Sequence, residues 1–171
     1  MHERHGFITS KGNPLTLLGP AAQVGSKAPS FTALRADLTQ FSLADAAGKV
    51  LVINSVPSME TGVCAAQARR FNQEAPTLGG SVKVFVISMD LPFAQKRFCT
   101  TEGIANLETL SDHRDASFGT AYGLLIKESR LLARAVLVID RDGVLRYLQL
   151  VPEVGQEPDY DAALAEIRKL L

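Results

Sequence analysis

The stretch Val50-Leu51-Val52-Ile53-Asn54-Ser55-Val56 decides the fold. It is a short apolar run, rich in β-branched residues, and such runs are typical of strands covered on both faces of a sheet. Residues 62–75 are rich in Ala, Gln, Arg and Glu and predict a helix, which Thr61 or Ser58 could cap. A second buried strand is predicted at residues 82–88. Two buried strands separated by a helix indicate a crossover unit of the α/β class.

Further elements extend this unit on both sides. Residues 7–9 and 15–18 flank Lys11-Gly12-Asn13-Pro14 and predict an N-terminal β-hairpin. Pro92 fits the first turn of a helix that runs to about Glu102. The turn Arg141-Asp142-Gly143 predicts an antiparallel hairpin of residues 135–140 and 144–150. The remaining predicted elements are short strands at 31–37 and 107–110, helical segments at 41–45 and 115–122, and a closing helix from Asp159.

The order of these elements predicts the architecture. A hairpin, two βα units and a ββα ending are the layout of a thioredoxin-like sandwich, with an N-terminal β-hairpin and a mixed central β-sheet flanked by helices on both faces. A chain of 171 residues is long enough to bury one core. We therefore expect a single domain over residues 1–171, with residues 1–6 as a flexible tail.

Composition argues against several classes of function. Eighteen basic and eighteen acidic residues balance, and no basic stripe indicates a nucleic-acid partner. No segment is apolar enough to span a bilayer, and the polar N-terminal residues make a poor signal peptide. We expect a soluble, cytoplasmic protein without nucleic-acid or membrane partners. In that compartment the two cysteines are more often catalytic than structural.

The first cysteine has the setting of a nucleophile. Cys64 ends the run Pro57-Ser58-Met59-Glu60-Thr61-Gly62-Val63-Cys64 and falls in the first helical turn, where free N–H groups favour a thiolate. Thr61 can donate its hydroxyl to the sulfur or to a bound oxygen. Arg134, where strand 135–140 begins, could supply a fixed positive charge, and Pro57 shapes the loop and shields the sulfur. The alternative, a core cysteine and a surface arginine, stays open on spacing alone.

The second cysteine lies on another helix. Cys99 ends the run Asp90-Leu91-Pro92-Phe93-Ala94-Gln95-Lys96-Arg97-Phe98-Cys99. A disulfide needs Cα atoms about 4.4–6.8 Å apart, which cysteines on different helices of such a fold do not satisfy at rest. Pairing with Cys64 would therefore require one or both helix ends to unwind. The alternative is a buried helix cysteine with no chemistry.

Other kinds of site have little support. A Cys/His hydrolase needs a histidine base, but His2 and His5 lie in the polar tail and His113 in a loop without a sequence link to Cys64. The chain lacks four zinc ligands at a recognisable spacing and lacks the Cys-x-x-Cys motif of thioredoxin-type reductases. We expect no metal and no cofactor.

The two cysteine segments together resemble a known family. Pro57-x-x-x-Thr61-x-x-Cys64 is similar to the active-site signature of the peroxiredoxins, and residues 90–99 resemble the segment that carries the resolving cysteine in the bacterial thiol peroxidase group of the atypical two-cysteine peroxiredoxins. Ala133-Arg134-Ala135-Val136 resembles the strand with the family's active-site arginine. The resemblance extends from about residue 7 to 171 and includes the hairpin and the C-terminal helix.

The resemblance implies a thiol-specific peroxidase for antioxidant defence. Such an enzyme reduces hydrogen peroxide and alkyl hydroperoxides, is recycled by thioredoxin and forms a homodimer. Cys64 would be the peroxidatic and Cys99 the resolving cysteine of an intramolecular disulfide, while Pro57, Thr61 and Arg134 complete the pocket. The connection of residues 127–132 departs from the family by being shorter and poorer in glycine, which leaves the substrate preference open.

Two alternatives from other classes remain at this point. A non-catalytic thioredoxin-like redox sensor would use the same disulfide as a switch for partner binding. A structural thioredoxin-like module would keep both cysteines buried and inert.

Overall fold

The structure, a computed structural model that describes residues 1–171, contains ten strands and four helices. The strands are β1 (Glu3–Ser10), β2 (Asn13–Leu18), β3 (Thr32–Leu34), β4 (Gln40–Ser42), β5 (Val50–Ser55), β6 (Val82–Ser88), β7 (Glu108–Ser111), β8 (Leu125–Ile126), β9 (Ala135–Ile139) and β10 (Leu145–Leu150). The helices are α1 (Gly62–Glu74), α2 (Pro92–Glu102), α3 (Ser117–Ala121) and α4 (Tyr160–Arg168).

Seven of the strands form one mixed sheet in the order β10-β9-β5-β6-β7-β3-β4. β6 pairs in parallel with β5 and β7, whereas β9 pairs antiparallel with β5 and β10. The hairpin of β1 and β2 joins β8 in a separate three-stranded sheet. The predicted thioredoxin-like sandwich, mixed sheet and N-terminal hairpin are thus confirmed.

Alternate residues of the central strands pack into different cores. One face of the sheet packs against α1 and α4 through Val50, Val52, Val84, Val136 and Val138. The opposite face packs against α3 and the N-terminal hairpin through Leu51, Ile53, Phe85, Ile87, Leu137 and Ile139. Because both faces of the sheet are covered, β5 has no solvent-exposed face, and its sequence from Val50 to Ile53 is continuously apolar.

Local signals fix the ends of the longer helices. Pro92 occupies the first turn of α2, and Gly103 ends that helix in the left-handed conformation at φ 66°. Asp159 precedes α4 and accepts a hydrogen bond from the Ala162 N–H at 3.0 Å. None of the four helices combines the length and apolar character needed to cross a membrane.

The structure differs from the sequence-based prediction near the N-terminus. A flexible tail over residues 1–6 is wrong for residues 3–6, which belong to β1. The guanidinium of Arg4 ties this strand down by donating to the carbonyls of Gly19 at 3.1 Å and Gly123 at 2.6 Å. The strand predicted at residues 31–37 is shorter, and β4 and β8 were not predicted at all.

We predict that Asp112 makes the stability of the fold depend on pH. Its buried carboxylate accepts N–H groups of Phe118 at 3.0 Å and Gly119 at 2.8 Å. Burial nevertheless raises the pKa of Asp112 to about 6. In the unfolded chain the pKa of this carboxyl group is about 3.9. The contribution of the protonated carboxyl group to the free energy of unfolding is therefore complete below about pH 4 and is lost as the pH rises through about 6. It amounts to at most about 3 kcal/mol.

Urea unfolding of the wild type and of Asp112→Asn tests this effect. The free energy of unfolding of the wild type minus that of the variant should fall between pH 4 and pH 7. Asp37→Asn is a control for which the same difference should rise with pH, because a hydrogen bond from Thr39 lowers the pKa of the exposed Asp37. A difference for Asp112→Asn that stays constant across this range would contradict the prediction.

Candidate active site

The register of the sheet brings Arg134 to the loop before α1. Ser55, the last residue of β5, pairs with Ala135, the first residue of β9. Arg134 therefore lies one residue beyond the strand end, beside the loop of residues 56–61 that leads to Cys64. The Ser55 hydroxyl donates to the Ala133 carbonyl at 2.7 Å and fixes this end of the strand pair.

Cys64 and Arg134 are in direct contact. Arg134 Nη2 donates to Cys64 Sγ at 3.2 Å, Nη1 donates to Gln67 Oε1 at 3.0 Å, and Nε donates to the Val154 carbonyl at 3.0 Å. Cys64 is 0% and Arg134 2% exposed, so an arginine on the surface, one of the alternatives, is wrong. Of the three acceptors, only the sulfur can carry a negative charge. A desolvated guanidinium without a carboxylate partner favours a thiolate at that position.

The start of α1 adds to this preference. The first bond within the helix runs from the Ala65 N–H to the Thr61 carbonyl at 2.9 Å. The N–H groups of Gly62, Val63 and Cys64 consequently have no acceptor in the helix and face its N-terminal end. That end carries the positive pole of the helix dipole, which stabilises an anion in the first turn.

Two buried amides that the sequence analysis missed hold Arg134 in place. Gln67 lies on the same face of α1 as Cys64, three residues later, and donates through Nε2 to Asn54 Oδ1 at 3.1 Å. Asn54 donates in turn to the Phe85 carbonyl at 3.2 Å. Both amides are 0% exposed. The polar residues Asn54 and Ser55 at the end of the apolar run of β5 were the one sequence signal that could have identified Asn54.

The Thr61 hydroxyl does not make the hydrogen bond to the Cys64 sulfur that the sequence suggested. It donates instead to the Ser58 carbonyl at 3.1 Å. Thr61 does occupy the position before α1, but no side chain caps that helix, so the expected capping by Thr61 or Ser58 is wrong.

One open cavity of about 440 Å³ brings Pro57, Thr61 and Arg134 together with the backbone of Gly62 and Val63. The rest of its wall comes from the hairpin, from β8 and from the connections before β9 and after β10. This part is mostly apolar, with two hydroxyl groups, and consists of Ser10, Leu15, Ile126, Ser129, Leu131, Val154 and Gly155. The cavity therefore has one charged end and a hydrophobic flank.

Cys99 lies on α2, apart from this cavity. It is half-buried and packs against the small apolar cluster that contains Val56, Met59 and Cys64. The two cysteines are not bonded to each other. Burial raises the pKa of the Cys99 thiol, so Cys99 stays protonated at neutral pH. No group of three or more His, Cys, Asp or Glu side chains is arranged to share a metal ion.

Comparison with known proteins assigns the family. The Redoxin family matches residues 23–164. A thiol peroxidase of Halalkalibacterium halodurans is 54% identical over 164 residues, which cover 96% of this chain and 98% of that protein. The thiol peroxidase of Bacillus subtilis is 52% identical over 164 residues, with the same coverage of 96% and 98%. The chain belongs to the bacterial thiol peroxidases of the Redoxin family.

A solved structure shows that the chain shares its whole fold with a peroxiredoxin-like protein. The crystal structure of a peroxiredoxin-like protein from Aquifex aeolicus is 41% identical and superposes with a TM-score of 0.89, over 100% of both chains. The chain is therefore an oxidoreductase that acts as a peroxidase. The contact between Cys64 and Arg134 is the feature of the structure best suited to that activity, since thiolates are the reactive form of cysteine.

We predict that a carboxylate at position 67 impairs the peroxidase. In Gln67→Glu the new charge would lie next to Arg134 Nη1, where it competes with the sulfur for the guanidinium and repels a thiolate. The rate constant for oxidation of Cys64 by hydrogen peroxide at pH 7 should fall about tenfold, which corresponds to about 1.4 kcal/mol. Stopped-flow competition with a second peroxidase measures this rate constant.

A matched control is available on the same helix. Gln73→Glu makes the same substitution at an exposed position of α1 and should leave the rate constant within twofold of the wild type. Equal losses in both variants, or no loss in Gln67→Glu, would contradict a role for Gln67 in orienting the charge of Arg134.

Proposed function

We propose that this peroxidase reduces hydrogen peroxide and alkyl hydroperoxides through a sulfenic acid on Cys64 and an intramolecular disulfide with Cys99, and that thioredoxin recycles it. The observation that carries the proposal is the 3.2 Å hydrogen bond from the buried Arg134 to the buried sulfur of Cys64. Antioxidant defence is the role that this chemistry would serve.

The first step is the attack of the Cys64 thiolate on the terminal oxygen of the hydroperoxide. The S–O bond forms as the O–O bond breaks, and the electron pair leaves with the second oxygen, which takes a proton from the solvent and departs as water or an alcohol. Arg134 stabilises the charge that moves to the leaving oxygen. The Thr61 hydroxyl donates to Ser58, so its lone pairs can accept the proton of a bound hydroperoxide. Pro57 forms the wall beside it.

The cavity supports an organic substrate. Its charged end suits the peroxide group, and its flank offers Leu15, Ile126, Leu131 and Val154 to an alkyl or aryl group. Hydrogen peroxide would use only the charged end. The shape of this site thus fits both kinds of hydroperoxide and gives the larger one additional contacts.

The second step joins the two cysteines. Cys99 attacks the sulfenic sulfur, the S–S bond forms as the S–O bond breaks, and the hydroxyl group leaves as water with the proton of Cys99. The sulfur of Cys64 is buried against Arg134, so parts of α1 or α2 must move first. A reduced thioredoxin then restores both thiols by exchange and is itself oxidised to its disulfide.

A cytoplasmic homodimer and a single domain over residues 1–171 complete the proposal. Both rest on the resemblance of the chain to its family. The residues named above supply every group that the two steps require, and the proposal includes no metal or cofactor.

The two cysteines are predicted to have separable roles. With thioredoxin, thioredoxin reductase and NADPH, Cys64→Ser should lose peroxide consumption. Cys99→Ser should still be oxidised once by hydrogen peroxide at a rate close to that of the wild type, but thioredoxin should not recycle it. Full activity of Cys64→Ser would refute the mechanism. Fast oxidation of the wild type without turnover would instead indicate the redox sensor.

A second prediction concerns the apolar flank of the cavity. Leu15→Ser removes roughly 1 kcal/mol of apolar contact with an organic group, so kcat/KM for cumene hydroperoxide should fall about fivefold relative to kcat/KM for hydrogen peroxide. Val24→Ser, at an exposed apolar residue outside the cavity, should leave this ratio unchanged. Equal losses with both substrates in Leu15→Ser would contradict binding of the organic group at this flank.

A further inference from the structure

Asp90 links the loop before Cys64 to the segment that carries Cys99. Its Oδ1 accepts the Ser58 hydroxyl at 2.7 Å, and its Oδ2 accepts the Met59 N–H at 2.9 Å. Hydrogen bonds to an ionised acceptor are about twice as strong as neutral ones. The carboxylate therefore holds two successive residues of the loop that leads into α1.

The other side of Asp90 is fixed to the sheet. The Ser111 hydroxyl at the end of β7 donates to the Asp90 carbonyl at 2.5 Å, and the Ser88 hydroxyl at the end of β6 donates to Oδ2 at 2.6 Å. Gln95 on α2 in turn donates to Ser88 Oγ at 2.9 Å and to the Leu110 carbonyl at 2.8 Å. Ser88, Gln95 and Ser111 are buried, so the carboxylate has little freedom to follow a moving loop.

Other polar links between the same two segments are weaker. The ion pair of Arg97 and Glu60, at 3.2 Å, has side chains that are 74% and 55% exposed. Surface pairs of this kind contribute about 0–1 kcal/mol. The half-buried bonds of Asp90 are therefore the main polar restraint on the loop.

The restraint acts on the apolar cluster that contains Cys64 and against which Cys99 packs. Met59, whose N–H binds Asp90, is 1% exposed and packs in the same cluster as Cys64, and Cys99 packs against that cluster. A disulfide requires the sulfurs to approach to about 2.05 Å. For the disulfide to form, the loop around Met59 must move and the hydrogen bond from Arg134 to Cys64 must break.

We propose that Asp90 is a positioning residue that sets the rate of disulfide formation, an inference that rests on the proposed Cys64–Cys99 disulfide. While Asp90 holds Ser58 and Met59, the start of α1 keeps Cys64 on Arg134, which serves the reaction with peroxide and delays the reaction with Cys99. In the delayed step the S–S bond forms, the S–O bond of the sulfenic acid breaks, and water leaves with the Cys99 proton.

The delay has a measurable consequence. A Cys64 sulfenic acid that Cys99 has not yet attacked can react with a second hydroperoxide to give a sulfinic acid, which no longer forms the disulfide. Disulfide formation and overoxidation thus compete for one intermediate. Weakening the hold of Asp90 should shift this competition towards the disulfide, and an equally exposed substitution in the same loop that leaves the Asp90 contacts intact should not.

The experiment compares Asp90→Asn with the wild type after rapid mixing with hydrogen peroxide, acid quench, alkylation and mass spectrometry of the Cys64 and Cys99 peptides. Disulfide formation should be about tenfold faster in Asp90→Asn. The peroxide concentration that converts half of Cys64 to sulfinic acid should rise about tenfold as well. Ser58→Ala, which removes one of the two loop contacts, should show about a threefold change in both quantities. Glu60→Gln removes the exposed ion pair instead and should change both less than twofold.

The outcomes separate this inference from the function on which it rests. Unchanged or slower disulfide formation in Asp90→Asn and Ser58→Ala would overturn the role of Asp90, and Ser58→Ala alone decides if Asp90→Asn does not fold. An effect of Glu60→Gln as large as that of Asp90→Asn would also overturn it. A wild type that forms no Cys64–Cys99 disulfide would instead refute the proposed function, and the wild-type peptides report this before any variant is compared.

Discussion

The constraint on which the site depends is a positive charge buried without a carboxylate. Arg134 is 2% exposed, and its acceptors are the Cys64 sulfur, the Gln67 amide and the Val154 carbonyl. Burying a cation with neutral partners alone is unfavourable, and an anion in contact with it offsets that cost. A thiolate at Cys64 would offset that cost, and in the proposed reaction it is also the nucleophile. The proposal therefore gives one contact, between Arg134 and Cys64, a role in both stability and chemistry.

The fold supplies this contact through one strand pairing and one helix start. The pairing of Ser55 with Ala135 sets Arg134 beside the loop, and the amide chain from Gln67 through Asn54 to the Phe85 carbonyl connects the guanidinium to the middle of the sheet. Because β5 and β6 are buried on both faces, these acceptors have little room to move. The rigid sheet thus fixes the charge, and in the proposed reaction the loop and α1 would be the parts that rearrange around it.

The sequence predicts the elements with strong local signals and misses those that depend on distant partners. β5 and β6 are continuous apolar runs, α2 has Pro92 in its first turn, and α4 follows Asp159. The predicted bounds of β5, β6 and α2 and the predicted start of α4 agree with the structure to within a residue or two. β4 and β8 have three and two residues, too few to show a period. Gln67 favours a helix whether exposed or buried, and its partner Arg134 is 67 positions away, so the sequence contains no signal for the pair.

The two cysteines differ in the group that lies beside the sulfur. For Cys99 no cation offsets desolvation, so the pKa of its thiol is raised and the sulfur stays protonated while α2 is folded. Cys64 instead has the guanidinium of Arg134 as a hydrogen-bond donor to its sulfur. In the proposed reaction peroxide would therefore meet only one reactive sulfur. The movement that brings Cys99 to the sulfenic acid would also expose it to water and ease its ionisation, so Cys99 would become a nucleophile only when its target has formed.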